Sequence, residues 1–441
     1  MKPSIRVVLG LVAAASMTLA GCGGGQDVPE ASTFPTENVT ITLSGWSLST
    51  TPEFKTLADG FKALHPNVTV QIKEYDAAQY DTLMTADLSA GTAPDIITQK
   101  TFKNYYSYAT GGALLDISDV AKKIPSIETA GGKSAYTVDG KTFGVAYRQD
   151  SWVLYYDKDL FDKAGVKYPD GTWTWDDYAK AAKDLTTGLK AAGSTAVGTY
   201  QHVWQSTVQG FALAQSKGAD ITKPDYAWLK PYYTRVLDLQ TAGAQPTFGT
   251  ASTAKLTYQA QFGKQSAAML PMGTWYVATL LAQQKSGDAN KFNWGIAPAP
   301  QMDKSTAGTS NTPVTFGDPT GMSINGSLND GAKITVAKAF LEYAAGPEGA
   351  KALAGIGITP ADTSAAVAQT YFSLAGVPTD ELSKFAWTKH DTKPENPVSK
   401  YTVGVQNLLN TLHSAVLSNS KPIDAAITEA QNQAKSTVLN Q

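Results

Sequence analysis

Cysteine is all but absent: Cys22 is the single one in 441 residues. A chain with one cysteine has no internal disulfide, so its fold must hold by core packing. Histidine is scarce as well, with only His65, His202, His390 and His413. No two of these share metal-ligand spacing and no second cysteine joins them, which argues against zinc. Charged residues make up 17%, against a usual share of about 25%. Their balance is near neutral, 36 Lys+Arg against 38 Asp+Glu, without a basic run, so no nucleic-acid partner is expected. There is no G-x-S-x-G, phosphate loop or dinucleotide fingerprint. Ser252-Thr253-Ala254-Lys255 spells S-x-x-K but lacks its companion motifs. No catalytic residue and no cofactor is therefore expected. What the chain does have is ring: 9 Trp and 20 Tyr, which must pack or bind something. Its length and 42% hydrophobic content point to about two domains.

One long apolar stretch stands at the start. Lys2 and Arg6 precede Val7–Ala20, which is short for a membrane span but suits a signal peptide. It ends in Leu19-Ala20-Gly21-Cys22, small residues before a cysteine, which reads as a lipobox. Cleavage before Cys22 and lipidation of its sulfur explain the lone cysteine. Two acyl attachments would hold the chain at the cell membrane, outside the cytoplasm. Residues 23–38, rich in Gly, Pro and Ser/Thr, read as a flexible tether.

Periodicity gives the organisation. Val39–Leu43, Val68–Ile72 and Ile96–Ile97 read as strands, and Phe54, Leu57, Ala58 and Phe61 recur at helical spacing between them. The β-α-β-α-β series predicts an α/β fold with a parallel sheet, whose ligands sit beyond the carboxyl ends of the strands. A second series starts at Val153–Tyr156. Thr174 and Asp177 spell a helix entry, and Pro224–Leu239 reads as helical.

Five stretches, in order, carry a resemblance. They are Gly91–Ile97; Val153–Gly165 with Thr172–Asp177; Ala267–Met269 with Gly273-Thr274-Trp275; Gly295–Pro300; and Gly321–Asn325. Together they resemble the extracellular solute-binding proteins of the sugar type, maltose-binding proteins among them. The resemblance implies a two-lobed periplasmic-binding-protein (Venus-flytrap) fold, each lobe a mostly parallel sheet flanked by helices, closing on a hinge. It implies segments 1–21 (signal peptide), 22–38 (lipidated cysteine and tether), 39–147 plus 300–345 (lobe I) and 148–299 plus 346–441 (lobe II). Crossings are expected near residues 147–151, 297–300 and 345. The implied partners are a mono- or oligosaccharide and the permease subunits of an ABC importer, the chain itself being a monomer and not an enzyme.

A sugar offers apolar faces to aromatic rings and hydroxyls to polar side chains. Asp150 matches the family's hydroxyl-binding carboxylate, with Tyr147 and Arg148 beside it; a turn Asp and hinge packing are the plainer readings. Trp275 matches the family's stacking Trp. Trp46 and Gln99 stand at strand ends, and Gln99 replaces an aromatic ring found in maltose-binding members. Trp204 has polar neighbours on both sides, unlike a core Trp. Asp318 and Trp387 lie in loops within reach of the cleft, although structural roles suit both. Two rival functions fit the composition: a surface-tethered carbohydrate-active enzyme, or a receptor of the same fold for a non-sugar solute.

Overall fold

The computed structural model describes residues 30–31, 33–124 and 133–440. Cys22, the apolar segment before it and residues 23–29 of the expected tether lie outside the described residues. In chain order the strands are β1 (Val39–Trp46), β2 (Val68–Tyr75), β3 (Ile96–Gln99), β4 (Thr137–Val138), β5 (Lys141–Thr142), β6 (Val145–Gln149), β7 (Trp152–Asp157), β8 (Met269–Gly273), β9 (Trp294–Pro298), β10 (Val314–Phe316), β11 (Pro319–Ile324) and β12 (Asp391–Lys393).

Local chemistry accounts for the first elements. In β1 the alternation buries Val39, Ile41 and Leu43 and exposes Thr40. The helix Glu53–Leu64 buries Phe54, Leu57, Ala58 and Phe61 on one face. Pro52 stands at its cap, where a missing N–H costs nothing, and Pro66 disfavours helix in the residue before it. The five strands of the first sheet run in the order β2-β1-β3-β11-β6. β1 is parallel to β2 and β3, while β11 is antiparallel to both β3 and β6.

The second sheet has the order β8-β7-β9. Here the expectation of mostly parallel strands is corrected, because β7 runs antiparallel to both neighbours. Its apolar run Trp152–Tyr156 is buried throughout, as befits a central strand covered on both faces.

Each sheet sits in its own core. The first gathers Ile41, Leu43, Phe54, Ile96, Val145, Met322 and Phe340. The second is dense in rings, with Trp152, Tyr155, Phe161, Trp175, Tyr178, Phe211 and Tyr276. These two cores redraw the expected boundaries. Residues 300–316 stay with the second lobe: Gln301 exchanges backbone bonds with Trp173 and Trp175, each 3.0 Å, and Phe316 stacks on Trp152 at 4.9 Å. The crossing expected near 297–300 instead lies at Gly317–Asp318. Just past the crossing expected near 345, the helix Pro347–Ala354 is shared between the lobes, with Ala350 and Ala354 in the second core. Leu353, Ile358 and Ala361 still belong to the first core. Sequence patterning cannot see this, since buried apolar residues look alike in either lobe.

A first crossing runs through Asp150–Ser151, between β6 and β7. A Cβ on Gly317 would stand 2.3 Å from the Asp150 carbonyl, so these two crossing segments touch backbone to backbone.

The tether expectation is corrected at its far end. Phe34 stacks on His65 at 4.4 Å, and the Asn67 amide donates to the carbonyls of Pro35 (2.9 Å) and Glu37 (2.8 Å). Lys338 pairs with Glu30 and, at 3.0 Å, with Asp119. The segment from residue 33 on is therefore seated on the first lobe.

Candidate functional site

The carboxyl ends of β1, β3 and β6 lie on one edge of the first sheet, beside the start of β11: Gln99 pairs with Gly321, and Gln149 with Pro319. The matching edge of the second sheet holds the start of β7 and the ends of β8 and β9, where Trp152 pairs with Gly273 and Val153 with Pro298. The crossings bring these two edges together.

The second-lobe side is a chain of rings. Trp275 is half-buried and meets Trp152 edge-on at 5.4 Å. Its side chain lies beside the Tyr258 hydroxyl. Tyr258 lies 5.6 Å from Trp204 and 5.5 Å from His202, and His202 and Trp204 meet at 4.5 Å. Trp204 is 39% exposed, so much of its ring is free. Burial pushes His202 down to about 4, keeping the imidazole neutral at physiological pH. Gly273 has a steric reason. A Cβ there would fall 1.8 Å from the Trp275 ring, which lies across the glycine.

Between the lobes lies a buried charge cluster. Glu53, the first residue of its helix, accepts from the Tyr147 hydroxyl and from Arg148 Nη1. Arg148 Nε stands 2.7 Å from Asp150 Oδ2, close but not aligned as a hydrogen bond. Asp150 Oδ1 accepts from Thr274 Oγ1 at 2.8 Å. Burial raises both carboxyls above their ordinary range, while Arg148 pulls them down. Burial also opposes the guanidinium charge, but Asp150 and Glu53 outweigh it and raise Arg148. The expected ligand-facing roles of Tyr147, Arg148 and Asp150 are thus displaced by contacts within the hinge.

The first-lobe residues are likewise occupied. Trp46 is 8% exposed and packs edge-on against Phe54 (5.0 Å) and Tyr80 (5.1 Å). The Lys100 ammonium covers its ring at 5.5 Å and donates to the Ala77 carbonyl. Gln99 is buried, its amide 3.1 Å from Ser323 Oγ. Neither presents a free face, contrary to expectation, because the partners come from distant parts of the chain.

Asp318 and Trp387 are both engaged by neighbouring groups. Asp318 accepts from Phe102 N (3.1 Å) in the first lobe, and from Glu395 N (2.8 Å), Asn396 N (3.1 Å) and Asn396 Nδ2 (2.7 Å) in the second. Trp387 stacks on Tyr371 at 4.6 Å and donates to Thr359 Oγ1 at 3.0 Å. Its edge borders a groove of about 640 Å³, shared with Phe102, Gln149, Pro319 and His390.

Several residues went unread in the sequence. Glu395 lies beside Ser206, and burial, with Asp318 nearby, pushes it up to about 8. Lys103 reaches across the lobes to Asn407 Oδ1 at 3.0 Å. Gln205 bonds Gln406, whose amide donates to the Glu395 carbonyl at 3.3 Å. The Glu395 loop is thereby tied to the base of Trp204. Only the Trp204 context, polar on both sides, hinted at this cluster. Among the described residues no cluster of His, Cys, Asp and Glu could hold a metal.

Comparison with known proteins gives a consistent picture. The model of the bacterial extracellular solute-binding proteins matches residues 47–351. A Brucella abortus binding protein is 26% identical over 284 residues, 62% of this chain; the chain spans only 65% of that relative's length. The solved structure of a sugar transporter from Rhizobium etli, in an open conformation, is 32% identical with a TM-score of 0.73. That match covers 90% of this chain and 99% of that one. An ABC substrate-binding protein from Listeria monocytogenes in complex with cycloalternan has the same TM-score of 0.73 at 21% identity, over 91% of this chain and 99% of that one. At that identity the likeness carries the fold alone.

Proposed function

The chain belongs to the bacterial extracellular solute-binding proteins, and from that premise we propose that it captures a mono- or oligosaccharide for an ABC-type importer. The lobes close on the sugar and hand it to a permease, while a lipidated Cys22 holds the chain at the outer face of the cell membrane. The observation that carries this reading is the row of rings Trp204–His202–Tyr258–Trp275, which starts just past the end of β8 and leaves Trp204 39% exposed. Rings so placed suit the apolar faces of a sugar. Around them Gln205, Gln406, Lys103 and Glu395 supply donors and acceptors for hydroxyls. The 32% identity to a sugar transporter supports the same class of ligand.

The test is a panel of mono- and oligosaccharides scored by melting temperature and calorimetry. Binding to the folded state alone raises Tm by mass action, about 2.7 kcal/mol at 100 times Kd. A panel without any shift or heat overturns the reading. Turnover of chromogenic glycosides would replace it with an enzyme.

A further inference from the structure

Asp150 is buried, with one oxygen hydrogen-bonded to Thr274 and the other held by the charge of Arg148. Oδ1 accepts from Thr274 Oγ1, the backbone N–H of Trp275 lies beside the same carboxylate, and Oδ2 faces Arg148 Nε at 2.7 Å. Arg148 passes the contact on to Glu53, rooted at the start of a first-lobe helix and wholly buried. At the other end, Thr274 is clasped twice more. Its N–H donates to the Ser151 carbonyl at 3.0 Å, and Ser151 N donates to its Oγ1 at 3.4 Å. The corner that carries Trp275 is thus bound to the crossing strand rather than to its own lobe alone. Gly273 leaves the ring room to lie back over the corner.

We propose that Asp150, backed by Arg148 and Glu53, is a positioning residue: it fixes the Thr274–Trp275 corner so that the first lobe sets where the Trp275 ring stands. The inference rests on Trp275 being a ligand-facing ring in the carbohydrate reading. A ring held before the ligand arrives loses less freedom on binding, so the cluster strengthens capture without touching the sugar.

The test uses Thr274→Val, which removes Oγ1 and keeps the shape, Thr274→Ser, which keeps Oγ1, and Asp150→Asn. Each is made in the native chain and with Trp275→Phe. Near-UV dichroism and tryptophan emission are read without ligand, and affinity is read by calorimetry for the sugar the panel returns. Thr274→Val and Asp150→Asn should shift the ligand-free tryptophan signal, and the shift should vanish in the Trp275→Phe background. Their affinity losses, about three- to tenfold, should not add to that of Trp275→Phe. Thr274→Ser should restore both. An unchanged ligand-free signal, with losses that add, would make Asp150 a direct ligand and overturn the proposal. Should Asp150→Asn not fold, the Thr274 pair decides. If the native chain binds no sugar, the carbohydrate reading fails, while the ligand-free spectra still report whether Asp150 positions the ring.

Discussion

At the scale of single residues, the site divides by what each side chain has left over. Trp204 and Trp275 keep free ring surface, whereas Trp46 spends its surface on Phe54, Tyr80 and Lys100. Trp204→Ala should therefore weaken sugar binding about tenfold, the loss expected of a stacked aromatic. Because that ring is 39% exposed, the ligand-free melting temperature should barely move; calorimetry and a thermal melt on one preparation check both. Glu395 gives a second expectation. Its carboxyl is pushed up to about 8 from 4.5. Across that window the folded state holds a proton that the unfolded chain has released, so folding weakens as pH rises through it. Glu395→Gln removes this titration. The variant's Tm advantage should grow from about pH 5 to about pH 8 and then level off. A flat difference would mean the carboxyl is not buried. The sequence disclosed Trp275 by its Gly-Thr-Trp setting and Trp204 by its polar neighbours. It hid the fate of Asp150, because Thr274 lies 124 residues away, and that of Gln99, because Ser323 lies 224 away. Local pattern carries no information about partners at such separations.

At the scale of elements, legibility follows the same line. Helix entries read well because their chemistry is local. Thr174 accepts from Asp177 N while Asp177 accepts from Thr174 N, the reciprocal cap expected from the sequence. Thr174→Ala should cost about 1 kcal/mol in urea unfolding, with the slope unchanged. A loss near zero would mean that Lys304, paired with Asp177 at 2.5 Å, holds the entry on its own. The helix expected over residues 224–239 begins later, at Lys230, after a short 3-10 turn over Ala227–Leu229. Pro224 marks only the loop before it. Strand direction in the second sheet was not legible. An apolar run such as Trp152–Tyr156 fits a central strand of either kind, and pairing is settled by elements more than 100 residues on.

At the scale of the whole molecule, two cores joined by crossing segments make relative motion of the lobes the natural degree of freedom. Among the described residues, polar contacts are part of what spans them. Lys103 meets Asn407 at 3.0 Å, and Asp318 bridges Phe102 to Asn396. Lys103 is exposed enough for its bond to be worth little by itself. Such contacts bias a closed arrangement without locking it, and a ligand that touches both lobes supplies the rest by differential binding. Small-angle scattering should then show a smaller radius of gyration when the bound sugar is added. Lys103→Ala should leave the saturated value unchanged while shifting the ligand-free value upward. It should also weaken binding, because the closed state is then less populated at the outset. A radius that stays constant on saturation would mean the two cores form one rigid body, and ligand entry would need a path other than hinge opening.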